Sequence, residues 1–135
     1  MIVDDNYLSA EGIEKNIDWE VLNAEIVHIC YNGTSAIDAM KKEPVDLIIS
    51  DIEMPDLDGI SMSRQALDIN PMVKIILISA YDKFEYARRA LLLGALDYIE
   101  KPLDYAYLIQ KVKNAFALME REQKNLQLLK QSRPL

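Results

Sequence analysis

Five polar residues at the ends of short apolar runs could do chemistry together. Asp4 and Asp5 follow the apolar pair at 2–3, and Asp51 follows the run at 45–49 and Ser50. Ser79 closes the run at 73–78, and Lys101 follows the run at 96–99. Carboxylates gathered in one place repel and raise one another's pKa. A divalent cation relieves that conflict, and Mg²⁺ in particular takes oxygen ligands in an octahedron: one or two carboxylates, completed by water and phosphate oxygens. Lys101 can pair with a carboxylate at rest and with a phosphoryl oxygen afterwards, and Ser79 can donate its hydroxyl to the same oxygens. Singly, each has a plainer use. An Asp after a strand is commonly a helix cap, and a Lys before Pro is commonly a solvated turn residue.

The elements around them decide whether they meet. The apolar runs at 2–3, 24–30, 45–49, 73–78 and 96–99 are short, nearly continuous and rich in Ile and Val, which predicts strands buried on both faces of a parallel sheet. Helical spacing separates them. Ile13 and Ile17 mark a first helix, Ala36, Ile37 and Met40 a second, and Ile60, Arg64 and Leu67 a third. A fourth opens on Asp82 as N-cap with Glu85 at N3, turns Phe84, Ala87, Ala90 and Leu91 inward, and stops at Gly94. A fifth starts near Asp104 and uses Leu108, Val112, Ala115 and Met119. Strand–helix alternation implies right-handed crossovers and an α/β, doubly wound sheet with helices on both faces; its five strands are expected in the flavodoxin-like order 2-1-3-4-5. Ligands bind such sheets beyond the carboxyl ends of the strands, the edge to which Asp4, Asp5, Asp51, Ser79 and Lys101 belong. The first strand is short for a central one, so either residues are missing upstream of Met1 or the strand is short by nature.

With 135 residues, half of them apolar and 27% charged, the chain has the makings of one soluble domain. No apolar run is long enough to span a bilayer, no signal-peptide pattern opens the sequence, and the single cysteine, Cys30, excludes an internal disulfide. A cytoplasmic location is expected. A net charge of −7 argues against a direct grip on nucleic acid.

The motifs Val3-Asp4-Asp5, Asp51-Ile52-Glu53-Met54-Pro55 with Asp58-Gly59, Ser79-Ala80, and Tyr98 ahead of Lys101-Pro102 occur in one order. In this the chain resembles the receiver domains of bacterial two-component response regulators, from Ile2 to about residue 120. The segments 80–87 and 94–98, with Ile17-Asp18-Trp19, look most like regulators that carry an AraC-type DNA-binding domain.

The resemblance implies a flavodoxin-like receiver fold and a signalling switch rather than an enzyme of free substrates. It implies that Asp51 takes a phosphoryl group from the phosphohistidine of a sensor histidine kinase as an aspartyl phosphate. Mg²⁺ would be held by Asp5 and Asp51, by the backbone carbonyl of Glu53, and by Asp4 through water. Lys101 would bind a phosphoryl oxygen next to a cis peptide to Pro102, and Ser79 and Tyr98 would form the switch pair. Glu53 and Tyr81 would flank the pocket and set the phosphate lifetime, a bulky Tyr81 slowing hydrolysis. Transcription would be controlled through a DNA-binding domain that these residues do not contain.

Residues 121–135 are expected to form a C-terminal helix extension or linker beyond a receiver at 1–120. The spacing of Leu108, Val112, Ala115, Met119, Glu122, Leu126 and Leu129 is heptad-like, which suits either a solvated helix or a homodimer contact. His28 lacks ligand neighbours, Cys30 fits a small core position, Trp19 closes one end of the core, and Arg88 and Arg89 suit a solvated face or a partner surface. A haloacid-dehalogenase-type phosphatase would want Asp rather than Glu53 two residues after the nucleophile. A phosphate-independent module would not need the full acceptor set, and a nucleotide binder would want a glycine-rich loop after the first strand.

Overall fold

Parallel pairing throughout brings every strand's carboxyl end to one edge. The computed structural model describes residues 1–80 and 84–132. Its strands are β1 (Ile2–Val3), β2 (Ile29–Cys30), β3 (Leu47–Asp51), β4 (Lys74–Ser79) and β5 (Asp97–Glu100). Between and after them lie α1 (Tyr7–Asn16), α2 (Gly33–Lys42), α3 (Gly59–Ile69), α4 (Phe84–Leu93) and α5 (Tyr105–Ser132). The sheet order is β2-β1-β3-β4-β5, the order expected of a flavodoxin-like sheet. In register, Ile2 stands beside Ile29 and Ile49, Asp51 beside Ile78, and Ser79 beside Glu100.

Two cores cover the two faces of the sheet. One joins Val3, Ile48, Ile75 and Leu77 to Ala36, Met40, Ile60, Met62 and Ala66 of α2 and α3. The other joins Ile2, Ile49, Ile76 and Ile78 to Ile13 of α1 and to Leu108, Val112 and Ala115 of α5. Strand residues alternate between the two, which is why the strand sequences read as unbroken apolar runs. No helix among the described residues is long and apolar enough to cross a membrane.

Helix starts are fixed by side-chain caps. Asn6 Oδ1 accepts the amides of Leu8 and Ser9, Asn32 Oδ1 that of Ser35, and Asp58 Oδ1 that of Ser61. Asp104 Oδ1 does the same for Ala106 and Tyr107 at the start of α5.

The structure corrects several sequence expectations. The second strand is only Ile29–Cys30, not residues 24–30. The ladder with β1 begins where Ile2 stands beside Ile29, the Ile2 amide donating to His28 O at 3.1 Å. Residues 24–27 instead line a cavity of about 310 Å³ at the amino edge, with Trp19, Pro44 and Phe116. On α4, Phe84 and Leu91 are 77% and 75% exposed rather than inward. The inward stripe is Tyr86, Ala90 and Leu93, one helical phase away. Gly94, at φ +92°, follows the end of that helix as expected. On α3 Arg64 is exposed and Ser63 and Ala66 are buried. Ile17 is buried but sits just past α1 as its extended C-cap. The expected cap Asp82 lies outside the described residues.

Helix α5 runs unbroken past residue 120. Its side chains stay against the domain as far as Glu122, which receives a hydrogen bond from Lys74 Nζ at 2.9 Å. Beyond it Leu126, Leu128 and Leu129 are exposed.

Candidate functional site

Asp4 follows β1, Asp51 ends β3, Ser79 ends β4 and Lys101 follows β5, so the sheet itself delivers these groups to one cleft. Asp4, Asp5 and Asp51 each present a carboxylate oxygen, and these oxygens lie within 4.8 Å of one another. Asp4 is 2% and Asp51 8% exposed, whereas Asp5 faces solvent. Lys101 Nζ reaches Asp51 Oδ2 at 3.2 Å and Asp4 Oδ2 at 3.3 Å. The peptide from Lys101 to Pro102 is cis.

Backbone bonds hold this geometry. The amide of Ile52 donates to Ile78 O at 2.9 Å, that of Lys101 to Ser79 O at 2.8 Å, and that of Gly59 to Ile52 O at 2.7 Å. Gly59 is required by close approach: a Cβ there would overlap the carbonyl oxygen of Asp51 and come within 2.9 Å of Ile52 Cα. Asp56 extends the support by accepting the amides of Gly33 and Thr34 at the start of α2, both at 3.3 Å.

Among the described residues the electrostatics are unbalanced, with three carboxylates gathered near one ammonium. Burial pushes the Asp51 carboxyl above its ordinary pKa and Asp4 adds to the rise, while Lys101 and the Glu53 amide offset only part of it. For Lys101, burial pulls the pKa down, but Asp51 and Asp4 outweigh it and the net direction is up. A simple ion pair would lower its acid. Here burial and a second carboxylate prevent that, so the cluster carries excess negative charge that a divalent cation suits. The carboxylates differ in availability. Asp4 Oδ1 accepts the amide of Asn6 at 2.9 Å and its Oδ2 faces Lys101, whereas Asp5 is exposed.

Ser79 stands at the pocket, buried, but its hydroxyl donates to Oε1 of Glu53 at 2.6 Å. The sequence expectations for Glu53, a backbone ligand and a flank of the pocket, did not include this side-chain contact. Its position two residues after Asp51 was the available signal, but the direction of a loop side chain is not. Tyr98 is half-buried and packs against the α2–α3 core. Tyr81, expected to flank the pocket, lies outside the described residues.

The remaining residues have structural surroundings. His28 Nε2 is 2.9 Å from Glu43 O, Cys30 is a buried free thiol, and Trp19 packs on the α1–α5 core. Arg88 is exposed near Glu85 at 3.7 Å. Arg89 instead lines a cavity of about 340 Å³ with Ile52, Glu53, Met54, Asp58 and Tyr86.

The profile of the response regulator receiver domain family matches residues 1–113. The chain is 27% identical over 122 residues to the transcriptional regulatory protein YesN of Bacillus subtilis, covering 90% of this chain and 33% of that protein. It thus spans well under half the length of the first curated regulators it matches. A two-component transcriptional regulator AraC from Clostridium phytofermentans superposes with a TM-score of 0.81 at 30% identity, over 92% of this chain and 95% of that one. The CheX–CheY–BeF₃–Mg²⁺ complex of Borrelia burgdorferi gives 0.77 at 28% identity, over 85% and 86%.

Proposed function

The chain belongs to the response regulator receiver domain family, and from that premise we propose that Asp51 is its phosphoacceptor and that a sensor histidine kinase is the donor. A receiver is a signalling switch, not an enzyme of free substrates. The observation that carries the assignment is the position of Asp51: at the carboxyl end of β3, 8% exposed, paired with Lys101 and clustered with Asp4 and Asp5.

In the transfer, an Asp51 carboxylate oxygen forms a bond to phosphorus as the phosphorus–nitrogen bond of the donor phosphohistidine breaks, and the imidazole leaves with the bonding electrons. Catalysis of such a step rests on positioning and on charge placed around the equatorial oxygens. Mg²⁺, when bound, supplies most of that charge. Asp5 and Asp51 would hold it directly, the Glu53 carbonyl would add a backbone ligand, and Asp4, already engaged by Asn6 and Lys101, would act through water. The similar Borrelia CheY was solved in a complex that includes BeF₃ and Mg²⁺.

Lys101 exchanges an Asp51 oxygen for a phosphoryl oxygen, and Ser79 turns its hydroxyl to another. Tyr98, beside β4 in register with Leu77, then moves into the space that Ser79 leaves. Phosphorylation thereby biases two states of the α4–β5–α5 face. Residues 1–120 form the receiver in this reading and 121–135 a linker helix or homodimer contact. The output is transcriptional and reaches DNA only through a separate domain, in the cytoplasm.

A titration with BeF₃⁻ and Mg²⁺ tests this reading. Backbone amide resonances around Asp51, Ser79 and Lys101 should shift in slow or intermediate exchange, and neither Asp51→Ala nor omission of Mg²⁺ should allow it. Equal shifts in Asp51→Ala would overturn the assignment.

A further inference from the structure

We infer that Glu53 is a two-position positioning residue, holding the Ser79 hydroxyl at rest and pairing with Arg89 once that hydroxyl turns to the phosphoryl group. The inference rests on Asp51 being the phosphoacceptor and names a regulator of that same site.

A serine hydroxyl has one proton to donate, and in the structure it goes to Glu53 Oε1 at 2.6 Å. Donation to a phosphoryl oxygen requires that this bond break first. A hydrogen bond to a charged acceptor is about twice as strong as a neutral one, so the resting contact competes with the switch. It also draws the hydroxyl toward the loop after β3, where Glu53 sits, while the Ser79 backbone stays fixed by its carbonyl's bond from Lys101 N.

Glu53 has somewhere to go. Glu53 is one of the residues lining the cavity between the β3–α3 loop and α4, and Arg89 of α4 lines the same cavity. Arg89 makes no ion pair among the described residues, unlike its neighbour Arg88. A phosphoryl group on Asp51 adds negative charge two residues from Glu53, which drives the carboxylate away from the pocket. Movement into the cavity brings it to a half-buried guanidinium and so links the chemical event to α4. Neither residue touches the reacting atoms in this scheme, and both act through Ser79.

The test is a double-mutant cycle on apparent BeF₃⁻ affinity at saturating Mg²⁺, using wild type, Glu53→Ala, Ser79→Ala and the double variant. Release of the resting bond should tighten BeF₃⁻ binding about tenfold in Glu53→Ala. In the Ser79→Ala background the same substitution should change it by less than about twofold, the margin within which independent sites add. Glu53→Gln, which keeps shape and loses charge, should give an intermediate gain. Arg89→Gln should weaken binding in the wild type and leave Glu53→Ala unchanged. A gain that persists without Ser79 would mean simple repulsion of the anion and would overturn the inference, as would no gain at all. Failure of the wild type itself to bind BeF₃⁻ would instead remove the phosphoacceptor reading, and this inference with it.

Discussion

Removing the Lys101 ammonium, which pairs with both buried carboxylates, gives the sharpest test of the pocket's electrostatics. In Lys101→Met the apolar stem is kept and the ammonium is lost. Its contacts to Asp51 and Asp4, at 3.2 and 3.3 Å, each represent roughly 5 kcal/mol of gross attraction at an effective dielectric near 20. Most of that is offset by the cost of burying the lysine. What remains is the penalty of leaving buried carboxylates unpaired, about 3–5 kcal/mol for a fully buried pair. Lys101 keeps 23% of its side chain exposed, so water reaches the site and lowers the net loss to about 2–3 kcal/mol. For a domain of this size that is a fall in Tm of roughly 10 °C. The assay is thermal and urea unfolding at pH 7, in EDTA and in Mg²⁺. In EDTA the deficit should appear in full. In Mg²⁺ it should shrink, because the variant presents more uncompensated charge to the ion and binding to the native state adds stability by mass action. A variant as stable as wild type in EDTA, or a deficit that Mg²⁺ leaves unchanged, would refute the reasoning.

Other consequences follow from the same geometry. Asp51 has a raised folded-state pKa, so its ionisation costs stability as pH rises through that value. Asp51→Asn should therefore unfold at higher urea than wild type at pH 7 without Mg²⁺, and the difference should vanish as pH falls below the ordinary carboxyl range. Gly59→Ala forces a Cβ against the backbone of Asp51 and Ile52; it should cost about 1–3 kcal/mol in urea unfolding and slow phosphorylation, whereas a neutral effect would show that the loop can relax. Deletion of residues 123–135 removes only side chains beyond Glu122, and it should change stability by less than about 0.5 kcal/mol. A larger loss would place the domain boundary further along α5.

Much of this site was legible before the fold was known, because parallel strands leave polar residues few places to go. Asp51, Ser79 and Lys101 each end an apolar run, and right-handed crossovers put those ends on one edge. The sheet order was expected from likeness to flavodoxin-like sheets, because alternation alone is shared by other doubly wound orders. What could not be read was direction within irregular backbone and phase within a short helix. Phe84 and Leu91 satisfy a helical period as well as Tyr86 and Leu93 do, and only packing on β4 and β5 decides which stripe turns inward. The second strand failed for a different reason. Residues 24–27 are apolar enough for a strand, yet they line the amino-edge cavity instead of joining the ladder, which begins at Ile29. Glu53 was placed near the pocket by its sequence position, yet its bond to Ser79 depends on a loop conformation that spacing does not encode.

Intact mass after incubation with acetyl phosphate tests the central claim most directly, on wild type and Asp51→Ala, each with Mg²⁺ or with EDTA. The account predicts one added phosphoryl group on the wild type in Mg²⁺ and none in the other three samples. An adduct on Asp51→Ala, or none on a folded wild type that also fails to take up BeF₃⁻, would contradict it.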